Sequence, residues 1–586
     1  VVDRLLSSPH YGERMAVDWL DAARYADSNG YQVDRDREMH AWRDWVIRAF
    51  NENKPFDEFT IEQLAGDLLP QPTLEQRIAT GFHRNHMMNE EGGVIPEEFL
   101  AEYCADRVET TATVWLGQTF ICSRCHDHKF DPFSQRDYYS MYAFFHNVTE
   151  QGKGNYGASI RRNNPPMIQL PSPELEAKRD ALRKQLAALQ DKLKAAKKES
   201  PEHEKLTKQV AAMKKRADQA DLAIPTALVM EEMAKPRPTY ILIRGAYNKR
   251  GEPVTAATPA SLPPMRKGLP KNRLGLARWL MDPTNPLPSR VTVNRLWQSI
   301  FGRGIVSTPE DFGVQGEFPS HPALLDWLAV EFIDSGWNVK AMMRLMVTSA
   351  TYRQSSRMSA TPAQLDPDNR LLARGPRYRL QAEFLRDQAL SASGLLVRKI
   401  GGPSVRPYHP PGLYEQVVAG KGANTYKQDK GAGLYRRTLY SYWKRSVPNP
   451  AMLAFDAPFR ETCTVRRSRT NTPMQALNLM NDPTYVEAAE FLARRMILEG
   501  GATVDSRLTR GFQLTLARPP SEPELTLLRA GLQRALTDFK ADPAAATKLL
   551  QTGDTPMHNA PGAIELAAYA MTASAILNLD ETVTRE

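Results

Sequence analysis

Long apolar runs are absent from this sequence, and so is any concentrated block of positive charge. No stretch of about 18 uninterrupted apolar residues occurs, which excludes a membrane-spanning helix. Lys and Arg number 76 against 67 Asp and Glu, for a net charge of +9, and the basic residues are spread along the chain. Nucleic-acid binding needs a concentrated basic patch, so we expect no nucleic-acid partner. The positive net charge is compatible with an anionic partner, such as a sulfated polysaccharide or an acidic redox protein.

Cysteine is also scarce, with four residues in a chain of 586, and two of them lie in Cys122-Ser123-Arg124-Cys125-His126. C-x-x-C-H is the attachment pattern for c-type haem. Two thiols at this spacing can each form a thioether to one porphyrin, and the next residue can then bind the iron. We therefore predict covalent haem c on Cys122 and Cys125 with His126 as the iron ligand. A zinc or other metal site and a disulfide or plain thiol turn remain open.

A second ligand to the iron is predicted on another part of the chain. His128 follows His126 too closely, because its imidazole would need a reversal of the backbone to reach the other side of the haem. We predict His86 as the distal metal ligand, with Met87 or Met88 as the next candidates. The alternative is a loop histidine that is hydrogen-bonded to a neighbouring carboxylate. A second strong ligand would suit electron transfer, and an open position would suit catalysis.

Two further kinds of chemistry fit residues around the motif. His83-x-x-His86 with the two motif cysteines would give the two nitrogen and two sulfur ligands that tetrahedral zinc accepts. Carboxylates with a histidine could also serve acid–base work on a sugar or a calcium site. Among these residues we predict catalytic roles for Asp127 and His128, because both adjoin the motif. The alternative for each carboxylate is a helix cap or a surface charge.

Arg466, Arg467 and Arg469 form a basic cluster in the second half of the chain. The cluster could bind an anionic group of a substrate, and the alternative is an ion-paired surface turn. Cys104 and Cys463 could be free or paired, and the sequence leaves both options open.

Apolar periodicity predicts a mainly α, multidomain fold. We expect a helical domain over 1–150 that holds the motif, a small β region over 151–270, and a helical C-terminal domain over 271–586. Leucines at heptad-like spacing over 173–222 predict an antiparallel coiled-coil hairpin inserted between two strands of one small sheet. The hairpin could pair only with itself or offer a docking surface. The aromatic stretch 436–444 is compatible with a further helix.

The chain resembles the planctomycete-type cytochrome-like domain of unknown function, fused to the planctomycete-specific C-terminal domain. Matching motifs of the first half are Arg24-Tyr25-Ala26-Asp27, Gln63-Leu64-Ala65-Gly66-Asp67, Arg84-Asn85-His86, Glu91-Gly92-Gly93 and Cys125-His126-Asp127-His128-Lys129. Matching motifs of the second half are Asn294-Arg295-Leu296-Trp297, Asp311-Phe312-Gly313, Pro319-Ser320-His321-Pro322 and Thr470-Asn471-Thr472-Pro473. The resemblance implies a secreted or periplasmic bacterial protein, and it implies no established reaction.

These observations support three functional hypotheses. The first is an extracytoplasmic c-type haem protein, an oxidoreductase or electron-transfer protein with a cytochrome c-like redox partner; the resemblance links it to polysaccharide or sugar degradation. The second is a zinc- or calcium-dependent hydrolase, and the third is a structural or interaction protein that uses its coiled coil. The chain begins at Val1 inside a predicted helix without a signal peptide, and we expect a processed or trimmed product.

Overall fold

The computed structural model describes residues 1–154, 162–357, 364–417, 425–555 and 562–585. Helices dominate it, and its strands form only short antiparallel pairs, so the predicted mainly α class is confirmed. Within these ranges no helix is both long enough and apolar enough to cross a membrane.

The first part of the chain is helical, and the motif lies between its sixth and seventh helices. Its helices α1 to α7 are Val2–Leu6, Tyr11–Ala22, His40–Asn51, Phe56–Ala65, Leu74–Ala79, Pro96–Thr111 and Gln135–Ala143. A π-helical turn, Ala112–Leu116, extends α6, and Gly117 ends it with a φ of +58°. Residues with φ in this range are usually glycine, because a side chain would strain the backbone. The chain can therefore turn sharply there towards the motif.

The middle of the chain holds the helical hairpin between two paired strands, as predicted. Strand β1, Met167–Gln169, pairs antiparallel with β2, Thr226–Leu228, and the helices α8, Pro173–Ala195, and α9, Pro201–Leu222, run between them. Leu182, Ala217 and Ala220 form a core of the hairpin's own.

The predicted single sheet is instead two separate ribbons. Among the described residues, strand β3, Thr239–Leu242, pairs only with β4, Arg250–Val254. Pro236 and Pro238 lie between β2 and β3 and have no N–H group to donate, so the segment that contains them is a poor extension of a strand.

The remaining helices build the second half of the molecule. Helices α10 to α13 are Arg273–Leu280, Pro286–Phe301, Pro322–Asp334 and Val339–Thr348. Helices α14 to α18 are Ala382–Ser393, Leu413–Val417, Pro450–Ala454, Pro473–Asn481 and Pro483–Glu499. Helices α19 to α23 are Val504–Leu516, Glu522–Ala541, Pro543–Leu549, Ala563–Leu577 and Asp580–Val583, and β5, Tyr378–Arg379, pairs with β6, Thr584–Arg585.

The largest hydrophobic core joins the N-terminal helices to α10–α13, across the boundary predicted near residue 271. Phe56 of α4 contacts Phe332 of α12, with ring centroids 5.9 Å apart. Arg273 is buried and donates to Asp67 at 2.8 Å from Nη1. A second core contains α14 and the helices from α16 onward. The first half and the start of the second half thus pack as one body, while the predicted domain limits stay a prediction.

Candidate functional site

The Cys-x-x-Cys-His segment forms a single tight turn on the surface. Ile121–Arg124 is a 3-10 helix, and the amides of Cys125 and His126 both donate to the carbonyl of Cys122, at 3.2 and 3.4 Å. Ser123 is the buried residue of the turn, and its hydroxyl donates to the Phe133 carbonyl at 3.3 Å. Burying the middle of the turn leaves its two ends facing outward.

Both motif thiols are exposed, and they are not joined to each other. The Cys125 thiol donates to the Arg244 carbonyl at 3.5 Å, which is within reach for a weak sulfur hydrogen bond. Arg244 belongs to the loop that connects β3 to β4. The disulfide alternative is therefore not the state of this structure, and both sulfurs remain open to other chemistry.

The imidazole of His126 is also exposed and has a defined orientation. Its Nδ1 lies 2.7 Å from the Asp127 carbonyl. A carbonyl oxygen only accepts, so Nδ1 carries the proton and Nε2 keeps its lone pair. Metal-ligating histidines are usually fixed in this way, with the second nitrogen donating to a carbonyl. His126 thus presents the nitrogen that an iron would need.

His128 faces the interior, with a side chain that is 1% exposed. Its Nδ1 accepts the amide of Asp131 at 2.8 Å and that of Phe130 at 3.3 Å, so the proton of the neutral ring lies on Nε2. Asp131 Oδ2 lies 3.4 Å from the same Nδ1 but shares no proton with it, because both atoms are acceptors. The ring thereby fixes the loop after the motif.

Asp127 caps the helix that follows the motif. One of its carboxylate oxygens accepts the amide of Gln135 at 2.7 Å, at the start of α7. Negative charge at a helix N-terminus is favourable, because the amides there lack carbonyl partners. The catalytic roles proposed for Asp127 and His128 stay predictions, and the contacts that the structure gives both residues are those of loop anchors.

Loop 311–314 of the second half is hydrogen-bonded to the segments on both sides of the motif. The amide of Val314 donates to Asp131 Oδ1 at 2.7 Å, and the amide of Phe312 donates to the Gly117 carbonyl at 2.7 Å. A Cβ atom at Gly313 would lie 2.6 Å from Asp131 Oδ1. The glycine thus allows the close approach of two segments that are far apart in sequence.

The loop that connects β3 to β4 covers one side of Cys125. Arg244 and Gly245 both have left-handed backbone, with φ of 52° and 72°, and the Ala246 amide donates to the Ile243 carbonyl at 3.2 Å. Two successive residues with positive φ are typical of the type I′ hairpin turn. A Cβ atom at Gly245 would lie 3.1 Å from the Cys125 sulfur. We call residues 243–249 the hairpin tip.

Apolar side chains border the motif on the surface. Ile121 is 59% exposed, Phe130 46% and Ile243, in the hairpin tip, 49%. A porphyrin buries large apolar faces, so exposed apolar residues beside two free thiols and a free imidazole nitrogen suit haem attachment. The side chains present therefore fit the cofactor that the motif predicts.

His86 lies in the interior, with both ring nitrogens engaged. Nε2 contacts Glu150 Oε1 at 3.1 Å, and Nδ1 contacts the Met87 carbonyl at 2.6 Å. Burial lowers the pKa of His86 to about 4. Burial disfavours the Glu150 charge as well, but Arg107 and Arg84 outweigh this effect and hold its pKa well below the usual value. A role as distal ligand stays a prediction, and it would require His86 to give up one of these contacts.

The zinc set proposed from the sequence is not assembled in the described ranges. No group of three or more His, Cys, Asp or Glu side chains there could hold a metal ion. His83 Nε2 lies 3.3 Å from the Thr111 hydroxyl in the core, whereas the motif cysteines are on the surface.

The basic cluster of the second half divides into three different environments. Arg467 is buried and donates to Asp21 at 2.6 Å and to Glu383 at 2.7 Å. Arg466 donates to Glu310 at 2.8 Å. Arg469 donates to the Gly302 carbonyl at 2.6 Å and has no carboxylate partner within the described residues. Only Arg469 is thus available to an external anion without breaking an ion pair.

The two other cysteines are free and lie apart from the motif. Cys104 is buried, its thiol contacts the Phe145 carbonyl at 3.6 Å, and burial raises its pKa to about 11. Burial likewise raises the pKa of Cys463 to about 11. Neither thiol is placed to replace a motif cysteine.

Two separate regions of the chain match protein-family models. Residues 1–150 match the model of PSCyt2, a protein of unknown function (DUF1549), and residues 272–532 match PSD1, a protein of unknown function (DUF1553). No curated protein and no solved structure matches the chain. The family names agree with the resemblance drawn from the motifs, and neither description assigns a reaction. The ribbons and the helical hairpin lie between the two matched regions.

Proposed function

We propose that the chain is an extracytoplasmic c-type haem protein with a redox function, in electron transfer or as an oxidoreductase. The observation that carries this proposal is the arrangement of Cys122, Cys125 and His126 on one surface turn. Both thiols are free and exposed, and the imidazole offers an unprotonated Nε2. These are the groups that covalent haem attachment requires.

Each residue of the turn has a defined part in this proposal. The sulfurs of Cys122 and Cys125 would hold the porphyrin, and His126 Nε2 would bind the iron. The Asp127 carbonyl keeps the His126 proton on Nδ1 and so fixes the ligand tautomer. When bound, the haem supplies a one-electron carrier. Because the turn is exposed, a redox partner of the cytochrome c class could directly approach a haem bound there.

Location and context follow from the same motif and from the family resemblance. Thioether attachment of haem takes place outside the bacterial cytoplasm, so a periplasmic or extracellular site of action is part of the proposal. A link to polysaccharide degradation is supported by the family resemblance alone.

The proposal is tested by producing the chain in a host that matures c-type cytochromes. We expect an intact mass increased by one haem, a Soret band, and a pyridine haemochrome of the thioether type. Cys122→Ala with Cys125→Ala should abolish covalent haem. Cys463→Ala, which removes a thiol outside the motif, should retain it.

Two results would contradict the proposal. A wild-type chain that folds in such a host but keeps the mass of the polypeptide alone would overturn the proposal. Haem that stays bound covalently in the double cysteine variant would overturn the assignment of the sulfurs.

A further inference from the structure

A large cleft lies away from the motif, between the end of α11 and the segment 464–470. It consists of two adjoining cavities of about 610 and 700 Å³ that share Gly302, Arg303, Ser307 and Arg469. No motif residue lines it. Its walls come from helix α11 of the first core and from β5 and the 464–470 segment of the second half. Clefts where separate packed bodies meet are frequent sites for small ligands.

Positive charge dominates the walls of this cleft. Among the described residues, nine arginines and five carboxylates line the two cavities. Three of these arginines also pair with carboxylates outside the lining: Arg377 with Asp580, Arg466 with Glu310 and Arg467 with Glu383. Arginine stays charged at any pH at which proteins fold, and its planar fork matches carboxylate, sulfate and phosphate oxygens. A concave wall with an excess of one charge attracts the opposite charge. The arginines outside these pairs therefore favour an anion in the cleft.

Two arginines of the cleft, Arg303 and Arg370, share one carboxylate. Arg303 lies 3.4 Å and Arg370 3.7 Å from the same Glu317 carboxylate. The other carboxylate near Arg303 is Asp368, at 3.8 Å. These distances are longer than a good charge-assisted hydrogen bond, so the guanidinium groups keep N–H donors for a ligand.

Contacts other than an ion pair hold Arg469 in place in the part of the chain that the structure describes. Its guanidinium lies 4.4 Å from the centre of the Tyr378 ring, and the Tyr378 hydroxyl donates to the Ser299 carbonyl at 3.2 Å. Gly302 makes this packing possible, because a Cβ atom there would lie 2.5 Å from the Tyr378 ring. One N–H group of Arg469 is used by the Gly302 carbonyl, and guanidinium has five. The ring contact with Tyr378 and the bond to Gly302 thus fix the orientation of the other Arg469 N–H groups before a ligand binds.

We infer that this cleft binds a small ligand carrying oxyanion groups, either carboxylates or sulfate or phosphate esters. Arg303, Arg370 and Arg469 supply the charge that recognises it. The site is independent of haem attachment, since none of its residues belongs to the motif.

The test is isothermal titration of the full chain with sodium sulfate and, separately, with trisodium citrate, at constant ionic strength set by sodium chloride. We expect at least one of the two anions to bind. Arg469→Gln should weaken that binding about tenfold or more, as loss of a charged donor does. Tighter binding of sulfate indicates an ester ligand, and tighter binding of citrate indicates a carboxylate ligand.

A second binding-site variant and a control variant complete the test. Arg303→Gln should also weaken binding, and it carries the test if Arg469→Gln does not fold, because Arg303 is 39% exposed. Arg534→Gln, on the exposed side of α20, should leave binding unchanged. Binding of neither anion, or an equal loss with Arg534→Gln, would overturn the inference.

Discussion

Asp131 accepts the backbone amide of Val314 at 2.7 Å, across 183 positions of sequence. This contact joins the loop that follows the motif to the second region that matches a family model. Together with the bond from the Phe312 amide to the Gly117 carbonyl, it attaches the two matched regions to each other beside the motif.

The first prediction concerns the glycine that permits this contact. Gly313→Ala would place a Cβ atom 2.6 Å from Asp131 Oδ1, and the carboxylate cannot retreat because it is buried and holds the Val314 amide. We expect a loss of about 1–3 kcal/mol, as for other overpacked sites, measured by urea unfolding. Gly531→Ala, in helix α20 with open space around it, should be neutral or stabilising. Equal stability of both variants would contradict the packing described.

The second prediction concerns the two motif thiols in the chain without haem. Cys122 should react faster with iodoacetamide than Cys125, because the hairpin tip covers Cys125 and accepts from its thiol. Gly245→Ala should raise the reactivity of Cys125 alone, since the added Cβ atom displaces the tip. Mass spectrometry of the labelled peptides gives both rates. Gly92→Ala, which has no atom within 4 Å of its Cβ, is the control, and equal rates in all three proteins would contradict the contact.

The third prediction concerns the buried carboxylate of Glu150. Arg107 contacts it through a charge-assisted hydrogen bond, and Arg84 forms an ion pair with it. Glu150→Gln would leave two buried guanidinium groups without a counter-charge, at a cost of about 3–5 kcal/mol. Glu204→Gln, an exposed carboxylate paired with Lys208, should cost about 0–0.5 kcal/mol. Unfolding free energies that differ little between the two variants would contradict the ion cluster.

The fourth prediction concerns pH. Burial lowers the pKa of His86 from 6.5 to about 4, so the unfolded chain takes up this proton before the folded chain does. Stability from this group is therefore complete above pH 6.5 and is lost as the pH falls towards 4. Glu150, whose pKa is also lowered, adds a loss below pH 4.5. His86→Gln should flatten the dependence of the urea midpoint between pH 6.5 and 5, whereas His203→Gln on the hairpin should not.

Much of the helical framework is predictable from local pattern. Helix α13, Val339–Thr348, follows from its apolar spacing, and the helical hairpin enters and leaves through paired strands as its heptads and flanking residues indicate. Both depend on neighbours in sequence, through apolar spacing and through caps such as the Asn338 side chain, which accepts the Ala341 amide.

The parts that could not be predicted depend on distant partners. The stretch 436–444 contains only a short 3-10 turn, because the Trp443 amide is bound to Asp27 at 2.9 Å and the Tyr440 hydroxyl to Glu13 at 2.7 Å. His86 meets Glu150 across 64 positions, and no local signal marks that carboxylate as its partner. Glu150 is followed by a glycine-rich segment, and nothing in that local sequence indicates that its carboxylate is buried.

The outward-facing turn at Cys122–His126 bears on how such a protein would be assembled. Its sulfurs and its imidazole lie at the surface while the residue between them, Ser123, remains in the core. Under the proposed function, maturation enzymes would reach these groups on the finished fold, and haem attachment would not have to precede folding.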